Sequence, residues 1–201
     1  MLDDRNPHTD DELIKTILEG DINRFEVILN RYQDHVFSVV AKHIPSAFQD
    51  DVAQDVFIRS YQSLKTYNRD GAFKYWLTSI TLRTCYDFWR KRYRSRENSY
   101  GSLSENHLKW VEKIIATHSK DNFDQLTAQN EAKEVLEWAL GQLTAAERLV
   151  VQLVHLEQRS VKETAALLGW SRANVKVRAF RSRKKLHEIL KNSMKNKGGA
   201  K

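Results

Sequence analysis

The stretch Ser160 to Leu186, SVKETAALLGWSRANVKVRAFRSRKKL, limits what this chain can become more than any other part of it. Its pattern predicts a short helix from about Val161 to Leu168. Gly169 can take the positive φ that stops such a helix, and Ser171 is placed to cap a second, longer one. That second helix carries Arg172, Lys176, Arg178, Arg181, Arg183, Lys184 and Lys185 with no acid among them. A helix this basic repels itself unless something anionic lies against it. Two helices around a tight turn, the second one basic, suit a helix-turn-helix whose second helix enters a DNA major groove. The plainer alternative is a solvated amphipathic helix with a basic face. Turn, caps and charge agree on the former.

The rest of the chain has to be compatible with that unit. Its 201 residues suggest one or two domains, and 41% hydrophobic residues are enough to bury a core. Only two prolines and seven glycines interrupt it. β-branched alternation is scarce, so the expected fold is all-α. A net charge of +7 and a pI near 9.4 favour a polyanionic partner. The charge is uneven: Met1 to Glu12 is acidic, while Arg83 to Arg96 and Arg172 to Lys191 are strongly basic. Cys85 is the single cysteine, which excludes a disulfide framework and a thiolate metal cluster. The N-terminus lacks a charged region followed by an apolar one. No apolar run approaches the ~18 residues of a membrane span. The expected location is therefore cytoplasmic, with no direct membrane insertion.

Taken in order, Thr9 to Glu12 is a capping box opening a helix to about Leu18, ended by Gly20. Asp21 is placed to cap the next helix, on which Phe25, Ile28, Leu29, Tyr32, Val36, Phe37, Val39 and Val40 form one apolar stripe. Pro45 closes it and Ser46 begins another. There Val52, Val56, Phe57, Tyr61 and Leu64 should face a core, while Asp50, Asp51, Gln54, Asp55 and Arg59 face out. Tyr67 to Gly71 breaks the pattern as a loop. A fourth helix follows from about Ala72, with Phe73, Trp76, Leu77, Ile80 and Thr84 inward and Arg83, Arg90, Lys91, Arg92 and Arg94 outward.

From Glu97 to about Thr127 the composition shifts to serine, asparagine and mixed charge, which predicts a linker. Within it Leu108 to Ala116, around Trp110, has the spacing of a short amphipathic helix. Beyond it, Val135 to Leu140 lie on a helix ended by Gly141. Thr144 to Glu147 and Ser160 to Glu163 are two further capping boxes. Between them Leu149, Val150, Leu153, Val154 and Leu156 supply an inner face. The expected organisation is a first helical domain over 9–96, a flexible linker over 97–127, a second helical domain over 128–191 and a disordered basic tail over 192–201.

The chemistry points to binding rather than catalysis. Aromatic residues beside arginines (Tyr67, Trp76, Phe88, Trp89, Tyr93) suit unstacked bases, at ~1–3 kcal/mol per stacked base. For Trp76 a core role is favoured over stacking; for Phe88 and Trp89 both stand open. The seven histidines show no paired spacing, so no metal is expected. Neither a Gly-rich phosphate loop nor a nucleophile motif appears, and the residues call for no cofactor. The acidic row Asp50, Asp51 and Asp55 reads as a solvated or docking face, and no catalytic residue is assigned.

At this point the residues carry a resemblance. GDINRFEVILNRYQDHVFSVV, DDVAQDVFIRSYQSL and DGAFKYWLTSITLRTCYDFWRKRYR resemble regions 1.2 to 2.4 of the extracytoplasmic-function (group 4) sigma factors, members of the sigma-70 family of bacterial RNA polymerase. LTAAERLVVQLVHLEQRSVKETAALLGWSRANVKVRAFRSRKKL resembles region 4. The absence of a region 3 domain between them fits group 4. The resemblance implies that Asp51, Gln54, Asp55, Phe57 and Arg59 lie on the helix that docks on the β′ coiled coil of core polymerase, whose β and β′ subunits become partners. It implies that the loop with Tyr67, Asn68, Arg69, Asp70 and Gly71 cradles a base flipped from the −10 promoter element, beside Arg83, Asp87, Phe88, Arg90 and Lys91. It also implies that Arg172, Asn174, Lys176, Val177, Arg178, Phe180 and Arg181 read the −35 element. Arginine suits guanine edges, asparagine suits adenine, and Phe180 can meet a thymine methyl.

Two places depart from the family pattern. Arg83 stands where asparagine is common, and Arg172-Ala-Asn174 replaces a small residue, Gly and Thr, so the promoter sequence is not carried over from a relative. The implied function is a sigma factor that supplies promoter choice to core polymerase, as an alternative, stress- or signal-responsive factor with an anti-sigma partner. Two competing readings remain. An operator-binding regulator would need a dimer surface and a ligand or phosphoryl site. A general single-strand or RNA binder leaves the helix-turn-helix unexplained.

Overall fold

The computed structural model describes residues 8–68, 71–98 and 125–195. Every regular element among them is helical. Eight α-helices follow one another: α1 (Asp10–Leu18), α2 (Phe25–His43), α3 (Gln49–Ser63), α4 (Phe73–Asn98), α5 (Gln125–Leu140), α6 (Ala145–Val151), α7 (Val161–Leu168) and α8 (Arg172–Lys195). The expected all-α class is the observed one. The Trp110 segment, Arg69, Asp70 and the end of the chain lie outside the described residues. None of the described helices is long and apolar enough to cross a membrane.

Local sequence sets the helix ends. Thr9 Oγ1 accepts from Glu12 N at 3.3 Å while Thr9 N donates to Glu12 Oε2 at 2.8 Å. Thr144 and Glu147 repeat the arrangement at 3.3 and 2.9 Å. Each pair satisfies two backbone donors that a helix start would leave open. At Ser160 the hydroxyl accepts from Glu163 N at 3.1 Å. Gly169 ends α7 at φ 69°, with its own N–H on Ala166 O and Trp170 N on Ala165 O, a Schellman closure that a left-handed residue makes possible. Asp21 differs from its expected role. A 3₁₀ turn, Ile22–Arg24, precedes α2, and the Asp21 carboxylate makes no cap bond but takes Arg24 Nε at 3.4 Å.

The described residues form two compact units, 8–88 with 160–172, and 89–98 and 125–159 with 173–195. In the first, the core comprises Leu13, Ile14 and Ile17 of α1, Ile28, Val36, Val39 and Val40 of α2, Val52, Ala53 and Val56 of α3, and Phe73, Leu77, Leu82 and Cys85 of α4. The expected stripes hold except at Phe37 and Tyr61, which are exposed. Helix α4 turns four hydroxyls back on its own carbonyls: Thr78 on Lys74, Ser79 on Tyr75, Thr81 on Leu77 and Thr84 on Ile80, at 2.7 to 3.2 Å. These bonds satisfy the buried Thr81 and Thr84 hydroxyls from within their own helix.

In the second unit Leu140, Leu143 and Val151 pack with Leu136, Leu186 and Ile189. Leu156 is not inward as expected. After α6 the backbone widens into a π-helical turn, Gln152–Leu156, and the extra residue per turn swings Leu156 off the line of Leu149 and Leu153. Gln158, at φ 56°, then reverses the chain toward α7. Arg148, which the sequence does not mark, is 2% exposed. It donates to Glu137 at 2.5 Å and lies 3.9 Å over the Trp89 ring. That cation–π contact and the 6% exposure of Trp89 make this ring a packing residue rather than a base-stacking platform.

Candidate functional site

Three surfaces carry the residues that the sequence singles out. The first is on α3. Asp51, Gln54 and Asp55 are exposed, as a docking face requires. Phe57 and Arg59 are placed differently. Phe57 is buried, and it helps line a groove of about 470 Å³ formed with Phe25, Leu29, Phe37, Ala53, Ile58 and Tyr61. Arg59 is half-buried and turned to α4, donating to the Asp87 carboxylate at 2.7 Å. Of the exposed apolar residues of this face, Phe37 and Tyr61 were expected in the core and Ile58 was unassigned. Their signal was present as apolar residues at helical spacing, which does not say whether a neighbour covers them.

The second surface joins the loop before α4 to α4 itself. Tyr67 OH donates to Gly71 O at 2.7 Å and so closes the loop. The Tyr67 ring meets Phe73 edge-on at 5.4 Å and Trp76 at 5.6 Å. Phe73 and Trp76 meet at 5.2 Å. Trp76 is therefore mainly a packing residue, as favoured. Asn68, Arg83, Arg90 and Lys91 are exposed. Asp87 is engaged by Arg59, and Phe88 is half-buried against Phe48 at 5.4 Å, so neither offers a fully open side chain.

The third surface is α8. Val175, Ala179 and Ser182 are buried at i, i+4 and i+7. The opposite face exposes Arg172, Asn174, Lys176, Val177, Phe180 and Arg181, with Arg178 half-buried beside it. Phe180 is 72% exposed, the highest of the exposed large hydrophobics. Arg178 Nε donates to Asn174 Oδ1 at 2.6 Å. Reading adenine with asparagine uses both amide atoms, and the second lone pair of Oδ1 and the amide N–H groups stay available for it while Arg178 holds the side chain. Lys185 is not on the reading face: it pairs with Glu147 at 3.0 Å. Burial raises the Glu147 pKa, but the Thr144 N–H and the Lys185 ammonium together hold it below the usual carboxylate value.

No group of three or more His, Cys, Asp or Glu among the described residues could hold a metal ion. Cys85 is fully buried, and burial pushes its thiol up to about 12, so it is not a nucleophile. What the arrangement offers is a helix with an exposed basic face, the Tyr67–Gly71 bond over an aromatic cluster, and an acidic and apolar face on α3.

Comparison with known proteins agrees. Residues 28–95 match the Sigma-70 region 2 model and residues 133–186 the Sigma-70, region 4 model. The two matches together span more than half of the chain. The chain is similar to the ECF RNA polymerase sigma-E factor of Escherichia coli K12, at 28% identity over 175 residues, covering 87% of this chain and 91% of that protein. It is also similar to the RNA polymerase sigma-H factor of Pseudomonas aeruginosa PAO1, at 23% identity, covering 90% and 93%. Among solved structures, the sigma factor RpoE in complex with the anti-sigma factor NepR from Bartonella quintana shares the fold, with a TM-score of 0.50 at 20% identity, covering 83% of this chain and 96% of that one. With both sigma regions matched in their order and near-complete coverage of full-length relatives, the chain belongs to the sigma-70 family of RNA polymerase sigma factors, in its extracytoplasmic-function branch.

Proposed function

We propose a division of labour among the three surfaces of this sigma factor, which directs promoter-specific initiation and is not itself an enzyme. Residues 9–96 act as the polymerase- and −10-binding domain, 97–127 as the tether, 128–191 as the −35-binding domain and 192–201 as a basic tail. Core polymerase docks on α3 through Asp51, Gln54 and Asp55. Phe57 acts from below as the floor of the apolar groove, and Arg59 through its pair with Asp87. Tyr67, Asn68, Arg69, Asp70 and Gly71 receive an unstacked base of the −10 element. Arg83, Asp87, Phe88, Arg90 and Lys91 form the adjoining surface. The unstacking cost, a few kcal/mol, is offset by contacts in the pocket. Arg172, Asn174, Lys176, Val177, Arg178, Phe180 and Arg181 read the −35 duplex in its major groove. The tether sets the spacing between the two elements through effective concentration.

The observation that carries this reading is α8. A helix that buries Val175, Ala179 and Ser182 while leaving Phe180, Arg172, Lys176 and Arg181 exposed has no packing reason for its outer face. The fold shared with a sigma factor solved against an anti-sigma factor supports a protein partner of that class here, and action in the cytoplasm follows from partnership with polymerase. The test is reconstitution with core RNA polymerase and sequencing of transcripts from genomic DNA. Start sites sharing two spaced elements are expected. Absence of a complex with core, or initiation without shared elements, refutes the assignment.

A further inference from the structure

Helix α1 lies outside all three surfaces, yet its first residue is tied into the second. Both Asp10 carboxylate oxygens are engaged: Oδ1 accepts from Arg31 Nη1 at 2.6 Å and Oδ2 from Tyr32 OH at 2.5 Å. Arg31 also donates to His8 O at 3.0 Å, which binds the start of α1 to α2 a second time. The Tyr32 ring rests on Phe73 at 5.3 Å. Phe73 is the ring against which Tyr67 stands, and Tyr67 closes the loop onto Gly71. Burial, and then the Asp10 carboxylate, raise the Tyr32 pKa and keep its proton in place for that bond.

A relay of contacts thus runs from the α1 carboxylate through one hydroxyl and three rings to the loop. Helix α1 also packs against the 3₁₀ turn Leu64–Thr66, immediately before Tyr67. Tyr67 is then braced twice by the same short helix, through the turn before it and through Phe73. An aromatic cluster has no directional bonds of its own, so its rings slide unless an edge is pinned. Tyr32 is the ring of this cluster that the Asp10 carboxylate pins.

We propose that Asp10 is a positioning residue for −10 recognition: it orients Tyr32, and through the Phe73–Tyr67–Trp76 cluster it positions Tyr67 at the edge of the loop assigned to the unstacked base. This rests on the assignment of that loop made above. Asp10 touches no DNA; it determines how sharply the loop discriminates.

The test uses holoenzyme reconstituted with core polymerase and a library randomised through the −10 element of a promoter found by genomic transcription. Two variants are compared with wild type, Asp10→Ala and Tyr32→Phe. Tyr32→Phe keeps the ring and leaves the Arg31–Asp10 pair, so α1 stays docked and the fold is preserved. A charge-assisted bond of this kind supports a change of roughly three- to tenfold. Both variants are expected to lose that much base discrimination at one −10 position, with −35 preference and core affinity unchanged. Unaltered discrimination in Tyr32→Phe overturns the proposal. An equal loss at −10 and −35 reduces Asp10 to a structural role and also overturns it. A wild-type profile with no −10 preference sinks the loop assignment itself, a distinguishable outcome.

Discussion

Replacing Phe180 with alanine should abolish much of the −35 affinity without touching stability. Phe180 lies five residues beyond Val175, a rotation of about 500° at 100° per residue, which places it about 140° from the buried stripe. With 72% of its surface open, little is lost from any core. Most of what it covers is its own helix, and alanine's higher helix propensity offsets that, so the net change should stay within ~0.5 kcal/mol. At the ~1–3 kcal/mol that one base-discriminating contact carries, its loss lowers affinity about five- to 150-fold. Val175→Ala provides the opposite case. Val175 is 0% exposed, and losing two buried methyl groups costs about 2 kcal/mol including the cavity. Urea denaturation gives the stabilities, and holoenzyme binding to a labelled −35 duplex gives the affinities. If Phe180→Ala lowers the urea midpoint as Val175→Ala does, or leaves duplex affinity unchanged, the division of α8 into a packing and a reading face is wrong.

Two further outcomes follow from buried groups. Glu137→Ala leaves the Arg148 guanidinium 2% exposed with only the Trp89 face beside it, so it should destabilise by ~2–3 kcal/mol, far more than a half-exposed glutamate otherwise would; thermal unfolding of Glu137→Ala and of Glu137→Gln checks this, and a loss under ~0.5 kcal/mol refutes it. Cys85 has its folded-state pKa raised from 9.0 to about 12, so its contribution is intact below pH 9 and is lost as pH rises from 9 toward 12, by ~1.4 kcal/mol per pH unit. Unfolding free energies at pH 8 and 10.5 should fall more steeply for wild type than for Cys85→Ala; identical slopes would contradict the burial argument.

What the chain disclosed in advance was local. Capping at Thr9 and Thr144 and the turn at Gly169 depend on residues three or four apart, and all three were legible. So was the exposed basic face of α8, because its cations fall at helical spacing opposite Val175, Ala179 and Ser182. Residues whose environment is set by distant segments were not. Tyr61 and Phe37 share the spacing of core residues, but the groove between α2 and α3 leaves them open. Arg148 looks like a surface cation until Glu137 and Trp89 close over it. Arg59 and Asp87, 28 residues apart, were assigned to two different partners, and no spacing rule reveals that they hold each other. Leu156 was misplaced because a π turn is invisible to a 3.6-residue period.

The back-turned hydroxyls of α4 bear on how that helix behaves under load. Thr81 and Thr84 are buried, yet their bonds run to carbonyls of their own helix and travel with it. They form no latch with α2 or α3. Of the four, Thr78 is additionally anchored, through His35 Nε2 at 2.8 Å. A small axial slide of α4 therefore breaks no hydrogen bond at Thr81 or Thr84 and is resisted there by packing alone, while it loads the Thr78–His35 and Asp87–Arg59 bonds on either side. The exposed Arg83, Arg90 and Lys91 ride on a helix held at two polar stops, Thr78 on α2 and Asp87 on α3, with a smooth stretch between them.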